Sequence, residues 1–245
     1  MLFIIWKKIY IKIYYYLYNY MDKYNWMSVI PSENKKRKQN KMDTDEEDDE
    51  TSKSITPIIN KLIGTSIYCH SNHIYFNSDI DINSAFNLNK ELRNMENKLK
   101  TTSSILNIEP LPIYLHLTTN GGSIHSAFSI IDCMNSLTLP IYTVIDGYVA
   151  SAGTIISVCG TKRYIGKNAY MLIHELRSGV WGKMTYMEEE MGNFKKVQEH
   201  LMDIYVDKTS LTSKKLIKIL KKDVEWNANE AINFGLVDEI YQLKL

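Results

Sequence analysis

The apolar residues of this chain fall into two rhythms. Residues 111–118, 140–146 and 169–173 are short runs dense in Ile, Leu, Val, Tyr and Thr, the composition of buried strands. Between the first two, Ile124, Ala127, Ile131 and Met134 recur at steps of three and four and predict a helix over 124–137. The apolar stretch 154–159 predicts a second, buried helix. The longest periodic stretch is 182–209, where Met184, Met187, Met191, Phe194, Val197, Leu201 and Ile204 share one face. Glu188, Glu189, Glu190, Lys195, Lys196 and Glu199 decorate the other. Strands alternating with helices through glycine turns predict an α/β domain of stacked βαβ units.

The candidate chemistry sits where strands hand over to the next element. Residues 111–118 run into Thr119, Asn120, Gly121, Gly122 and Ser123, a glycine turn that leaves N–H groups free at a helix start. Residues 140–146 run into Gly147, Tyr148, Val149, Ala150, Ser151, Ala152 and Gly153, which set one serine among small residues. Residues 169–173 deliver His174, and Asp223 follows a basic stretch ending at Lys222. Each has an ordinary reading: a turn needing positive φ, close packing, a structural histidine, a surface carboxylate. Taken together in the order Ser, His, Asp, they are the residue types of acyl transfer through an activated hydroxyl. If the two turns lie side by side, one supplies an oxyanion donor to the nucleophile of the other. His70, His73, His116, His125 and His200 have no such company in the sequence and read as structural or surface residues.

These motifs resemble the proteolytic subunit of the Clp protease. The resemblance covers roughly residues 74–241, and its anchors are 113–115 with Asn120, Gly121 and Gly122, then 147–151, then 171–174. The last anchor is Asp223 followed by 229–238, Asn-Glu-Ala-Ile-Asn-Phe-Gly-Leu-Val-Asp. It implies a serine endopeptidase with Ser151 as nucleophile, His174 as general base and Asp223 as orienting carboxylate. The backbone N–H groups of Gly122 and Ala152 correspond to the oxyanion hole. It also implies a crotonase-like spiral of βαβ units with a protruding handle helix at 182–209. Stacked heptameric rings and an AAA+ unfoldase that feeds polypeptides into the chamber follow from the same resemblance. Two departures stand out: Glu175-Leu176 replace the usual proline after the histidine, and Ala152 replaces a frequent methionine. Rival readings are a non-catalytic ring subunit that modulates an active partner and an acyl-CoA hydratase or isomerase on the same fold. A membrane-anchored Ser-Lys peptidase is a further one.

Composition narrows the picture. Lys and Arg number 29 against 28 Asp and Glu, a balance that gives no pull toward nucleic acid. The 3 cysteines, Cys69, Cys133 and Cys159, are spaced for neither a zinc site nor a disulfide set and fit a reducing compartment. No metal or cofactor is expected. No G-x-x-x-x-G-K-[ST] motif occurs, so ATP dependence has to come from a partner. The chain reads as an extension over 1–53 and a peptidase domain over 54–245, with the cytoplasm as the expected compartment. The extension carries an apolar, tyrosine-rich start interrupted by Lys7, Lys8 and Lys12, then basic and acidic runs typical of a solvated linker. Membrane contact or organellar targeting by that start is the alternative.

Overall fold

The computed structural model describes residues 67–242, so the expectations for residues 1–53 lie outside the described residues. The chain runs through β1 (Ile67–His70), β2 (His73–Asn77), α1 (Ile82–Leu106), β3 (Ile113–Thr119) and α2 (Ile124–Ser136). It continues with β4 (Ile141–Ala150), α3 (Ala152–Val158), β5 (Lys162–Ile165) and β6 (Tyr170–Ile173). Last come α4 (Met184–Lys208), α5 (Ser213–Leu220), β7 (Val224–Asn227), α6 (Ala228–Asn233) and β8 (Glu239–Ile240). This is the α/β class that the alternation predicts.

Strands β2, β3, β4, β5 and β8 are successive parallel neighbours, with β1 antiparallel on the β2 edge. Parallel pairing demands crossovers, and α1 and α2 supply them. The first of these helices opens with a capping box in which Asp81 accepts from the Ser84 N–H at 2.7 Å and Ser84 accepts from the Asp81 N–H at 2.9 Å. Leu88, Leu92 and Met95 of α1 and Ala127, Ile130 and Met134 of α2 share one core with Ile74, Leu115, Leu117 and Ile145 of the sheet. All of α3 is buried, its hydroxyl residues Thr154 and Ser157 included.

The feature that makes the site is a fork in β4. Its first half, Tyr142–Ile145, pairs with β5, whereas Tyr148, Val149 and Ala150 pair with β6. The change of neighbour falls at Gly147, whose φ of +73° suits glycine, beside a register shift between Leu117 and Thr119 on β3. Beyond the fork, β6 pairs antiparallel with β7.

The helix expected at 182–209 is α4, and most of its apolar stripe is not buried. Only Leu201 and Tyr205 are buried in it, while Met184 and Met191 are 67% and 53% exposed. Both of its buried residues lie in the C-terminal half. No helix among the described residues is long and apolar enough to cross a membrane.

Candidate active site

The two glycine-bearing turns do lie side by side. A Cβ on Gly121 would sit 2.6 Å from the Ser151 Cβ and 2.8 Å from the Ala150 carbonyl, so only glycine lets the turn approach this closely. Gly122 is pinned to the segment before α1: the Ile80 N–H donates to the Gly121 carbonyl at 2.8 Å, and the Ser123 N–H donates to the Ile80 carbonyl at 2.7 Å. Ser151 occupies φ 54°, ψ −126°, a conformation that costs a non-glycine residue on the order of 1–3 kcal/mol. Its N–H donates to the Leu172 carbonyl at 2.9 Å, which ties the end of β4 to the end of β6. A strained serine between a buried strand and a buried helix is a nucleophile elbow. Among the described residues, the N–H groups of Gly122 and Ala152 are spent on no protein carbonyl.

His174 and Asp223 follow and precede a paired register. The β6–β7 ladder ends at Ile173 opposite Val224, one residue short of each, and the two side chains are bonded to other partners. The Glu175 N–H donates to the Leu220 carbonyl at 2.9 Å, and the Leu176 N–H donates to Gln198 Oε1 of α4 at 2.9 Å. These bonds hold the chain after the histidine against α5 and α4. Ser151, Ala152, Gly122 and His174 line one cavity of about 210 Å³, together with Arg177, Leu201 and Tyr205.

The side chains are arranged differently from what the residue order implies. His174 Nδ1 lies 2.6 Å from the Glu175 carbonyl, and Asp223 is ion-paired with the Arg177 guanidinium. A carbonyl oxygen only accepts, so Nδ1 carries a proton, and in the neutral imidazole Nε2 is then the basic nitrogen. That is the tautomer a general base needs. A neutral carbonyl, however, stabilises an imidazolium less than a carboxylate does. Neither Asp223 nor Arg177 is deeply buried; their side chains are 57% and 65% exposed.

A second polar chain runs across neighbouring strands. Asp146 Oδ2 accepts from His116 Nδ1 at 2.7 Å, and His116 Nε2 lies 2.9 Å from His73 Nδ1. Their parallel strands align Tyr75 with His116 and His116 with Val144, a register invisible to spacing alone. This chain borders the aromatic cavity of about 560 Å³ lined by His73, Tyr114, Tyr164 and Tyr241, which holds no serine. Among the described residues no cluster of His, Cys, Asp and Glu could hold a metal ion.

Fold and elbow are of the kind that serine hydrolases built on α/β sheets use. A family model described as Clp protease matches residues 66–244. The chain belongs to the Clp protease family and so to the serine endopeptidases. It is similar to ATP-dependent Clp protease proteolytic subunit 2 of Treponema denticola, 31% identical over 159 residues, 62% of this chain and 77% of that protein. Similar too are the ATP-dependent Clp protease proteolytic subunit of Streptococcus pyogenes, 32% identical, and subunit 1 of Chlamydia muridarum, 29% identical. Each of these two alignments covers 53% of this chain, and they take in 68% and 69% of the relatives. These matches do not favour the hydratase and non-catalytic readings.

Proposed function

We propose that Ser151 attacks the scissile carbonyl, His174 takes its proton, Asp223 steadies the resulting imidazolium, and the Gly122 and Ala152 N–H groups hold the oxyanion. The reading is supported above all by the single cavity that Ser151, His174, Gly122 and Ala152 line together. In the first step the Ser151 Oγ–carbonyl bond forms as the hydroxyl proton passes to His174 Nε2. Collapse of the tetrahedral intermediate breaks the peptide bond and returns that proton to the leaving amine. Water then repeats the sequence on the acyl-enzyme with the same base.

Reaching that geometry requires one exchange of partners. Asp223 leaves Arg177 and accepts from His174 Nδ1, which gives up the Glu175 carbonyl. Exposed ion pairs contribute little, so the exchange is cheap on the arginine side. The acceptor gained is charged, which is what the imidazolium of the transition state demands.

The substrates are unfolded polypeptides cleaved within a cytoplasmic ring of like subunits. Trp181, Met184 and Met191, all exposed, are the part of α4 and its approach that a stacked copy would cover as a handle. Heptameric stoichiometry and an AAA+ unfoldase follow from family resemblance. The peptidase domain is assigned to residues 54–245, after an extension over 1–53 whose sequence is an apolar segment followed by charged runs of linker type.

The reading is tested by cleavage of unfolded casein with wild type, His174→Ala and Asp223→Asn, each sized by gel filtration. Loss of rate by a factor on the order of 10³–10⁴ in both variants, with assembly intact, is expected. Wild-type cleavage by Asp223→Asn would remove the carboxylate from the mechanism.

A further inference from the structure

The peptide between Ser151 and Ala152 has a support behind it that the acyl-transfer scheme does not use. Thr154 Oγ1 lies 2.6 Å from the Ser151 carbonyl oxygen, and the Thr154 N–H donates to that same oxygen at 3.0 Å. The carbonyl has no proton, so the single proton of the threonine hydroxyl is spent on it. Tyr205 Oη lies 2.5 Å from Thr154 Oγ1. With the threonine proton already committed, the phenol is the donor of that bond. A directional chain results, from the Tyr205 hydroxyl to the Thr154 hydroxyl to the Ser151 carbonyl.

The Ser151–Ala152 peptide is trans, as are all described peptides, so the Ala152 N–H points opposite to the Ser151 carbonyl. One edge of this planar group is held by Thr154 and the opposite edge offers its N–H to the cavity. We infer that Tyr205 and Thr154 are positioning residues that aim and polarise the Ala152 N–H for the oxyanion. The inference rests on the proposed role of Ala152 as oxyanion donor.

Two physical effects act together. Hydrogen bonds accepted by the carbonyl fix the plane of a peptide whose serine is strained at φ 54°. They also draw electron density toward oxygen and make the N–H of the same group a stronger donor, by roughly 10–30% per bond. Both hydroxyls are sealed from water: Thr154 is fully buried and Tyr205 is 1% exposed. Burial pushes the Tyr205 phenol far above its ordinary range, outweighing the opposing bond with Thr154, so it stays a donor at every working pH. Tyr205 belongs to α4, far along the chain from the elbow. Any shift of that helix is therefore transmitted to the oxyanion peptide through two hydroxyls.

An ordinary pair of buried hydroxyls satisfying one another would stabilise the fold without touching the chemistry, and the experiment separates the cases. Tyr205→Phe removes one oxygen and leaves Thr154 satisfied by the Ser151 carbonyl, so the variant folds. Full-length wild type, Tyr205→Phe, Thr154→Val, Thr154→Ser, the double variant and Ser151→Ala are compared on a fluorogenic peptide and for binding of a peptide boronate. Thermal unfolding is followed in parallel. Tyr205→Phe is expected to lower kcat roughly threefold to tenfold with KM unchanged, and boronate affinity by the same factor. Thr154→Val loses at least as much, Thr154→Ser restores wild-type kcat, and the double variant is no worse than Thr154→Val. Wild-type kcat and boronate affinity in both Tyr205→Phe and Thr154→Val, with Ser151→Ala inactive, overturn the inference while leaving the nucleophile in place. Activity in Ser151→Ala overturns the active-site reading and this inference with it.

Discussion

Replacing Gly121 by alanine probes the contact on which the site depends. The new Cβ would lie 2.6 Å from the Ser151 Cβ, 2.8 Å from the Ala150 carbonyl and 3.2 Å from the Ala152 nitrogen, at a φ of +98°. Ordinary van der Waals contact begins near 3.4 Å, so the elbow must retreat by about 0.8 Å or the turn must move instead. Backbone strain of about 1–2 kcal/mol and overpacking of about 1–3 kcal/mol predict a loss of roughly 2–5 kcal/mol in stability. A displacement near 1 Å at the nucleophile predicts a fall of up to about 100-fold in its acylation. Denaturant unfolding gives the first quantity and the rate of fluorophosphonate labelling gives the second. Gly147→Ala is the matched control: φ is +73° there, but no atom lies within 4 Å of the new Cβ. It should cost about 1–2 kcal/mol through strain alone and leave labelling unchanged. The reasoning fails if Gly121→Ala labels at the wild-type rate, or if the two variants slow labelling equally.

Two other substitutions test separate parts of the account. Arg177→Ala frees Asp223 for His174 and should accelerate labelling while barely altering thermal stability, because the pair it breaks is exposed. High salt should accelerate the wild type by screening that pair and leave the variant unaffected, a comparison made by labelling rate against ionic strength. Glu96 caps the start of β4's approach, accepting from the Thr138 N–H at 2.7 Å, the Thr138 hydroxyl at 2.9 Å and the Leu139 N–H at 3.1 Å. Burial pushes its carboxyl up, but the bonds from Thr138, Lys100 and Leu139 outweigh burial and hold it below the ordinary range. A depressed folded-state value means its stabilisation is complete above the unfolded value of about 4.3 and is lost as pH falls through the folded one. Glu96→Gln should therefore cost about 1–3 kcal/mol at neutral pH, with the gap from wild type closing in acid, as read by unfolding across pH.

What the sequence disclosed was chiefly local. The strands at 113–119 and 170–173, the glycine turn and the elbow are each dictated by residues adjacent to one another, so composition and spacing reveal them. The side-by-side arrangement of Gly121 and Ser151 was foreseeable as a requirement, since an oxyanion donor must reach the nucleophile. Helix α1 has a weak signal in the sequence although Ala85, Leu88, Leu92 and Met95 keep helical spacing, because polar residues fill most of its other positions. The partners of the candidate acid and base were not readable. Arg177 meets Asp223, and Tyr205 meets Thr154, only because β7 and α4 fold back onto the elbow. The methionine stripe of α4 is legible only as an apolar face, since periodicity is silent on what covers it. The Asp146–His116–His73 chain depends on parallel register, which residue spacing does not encode.

The central claim is that Ser151 is the acylated residue of a peptidase, and the most direct measurement is to label the purified full-length protein with a fluorophosphonate and map the adduct by mass spectrometry. Ser151→Ala and His174→Ala are run alongside, with oligomers separated by size. The account predicts a single adduct on Ser151, borne by the assembled wild type and absent from both variants. An adduct elsewhere, persistence of labelling in Ser151→Ala, or an assembled wild type that never labels would contradict it.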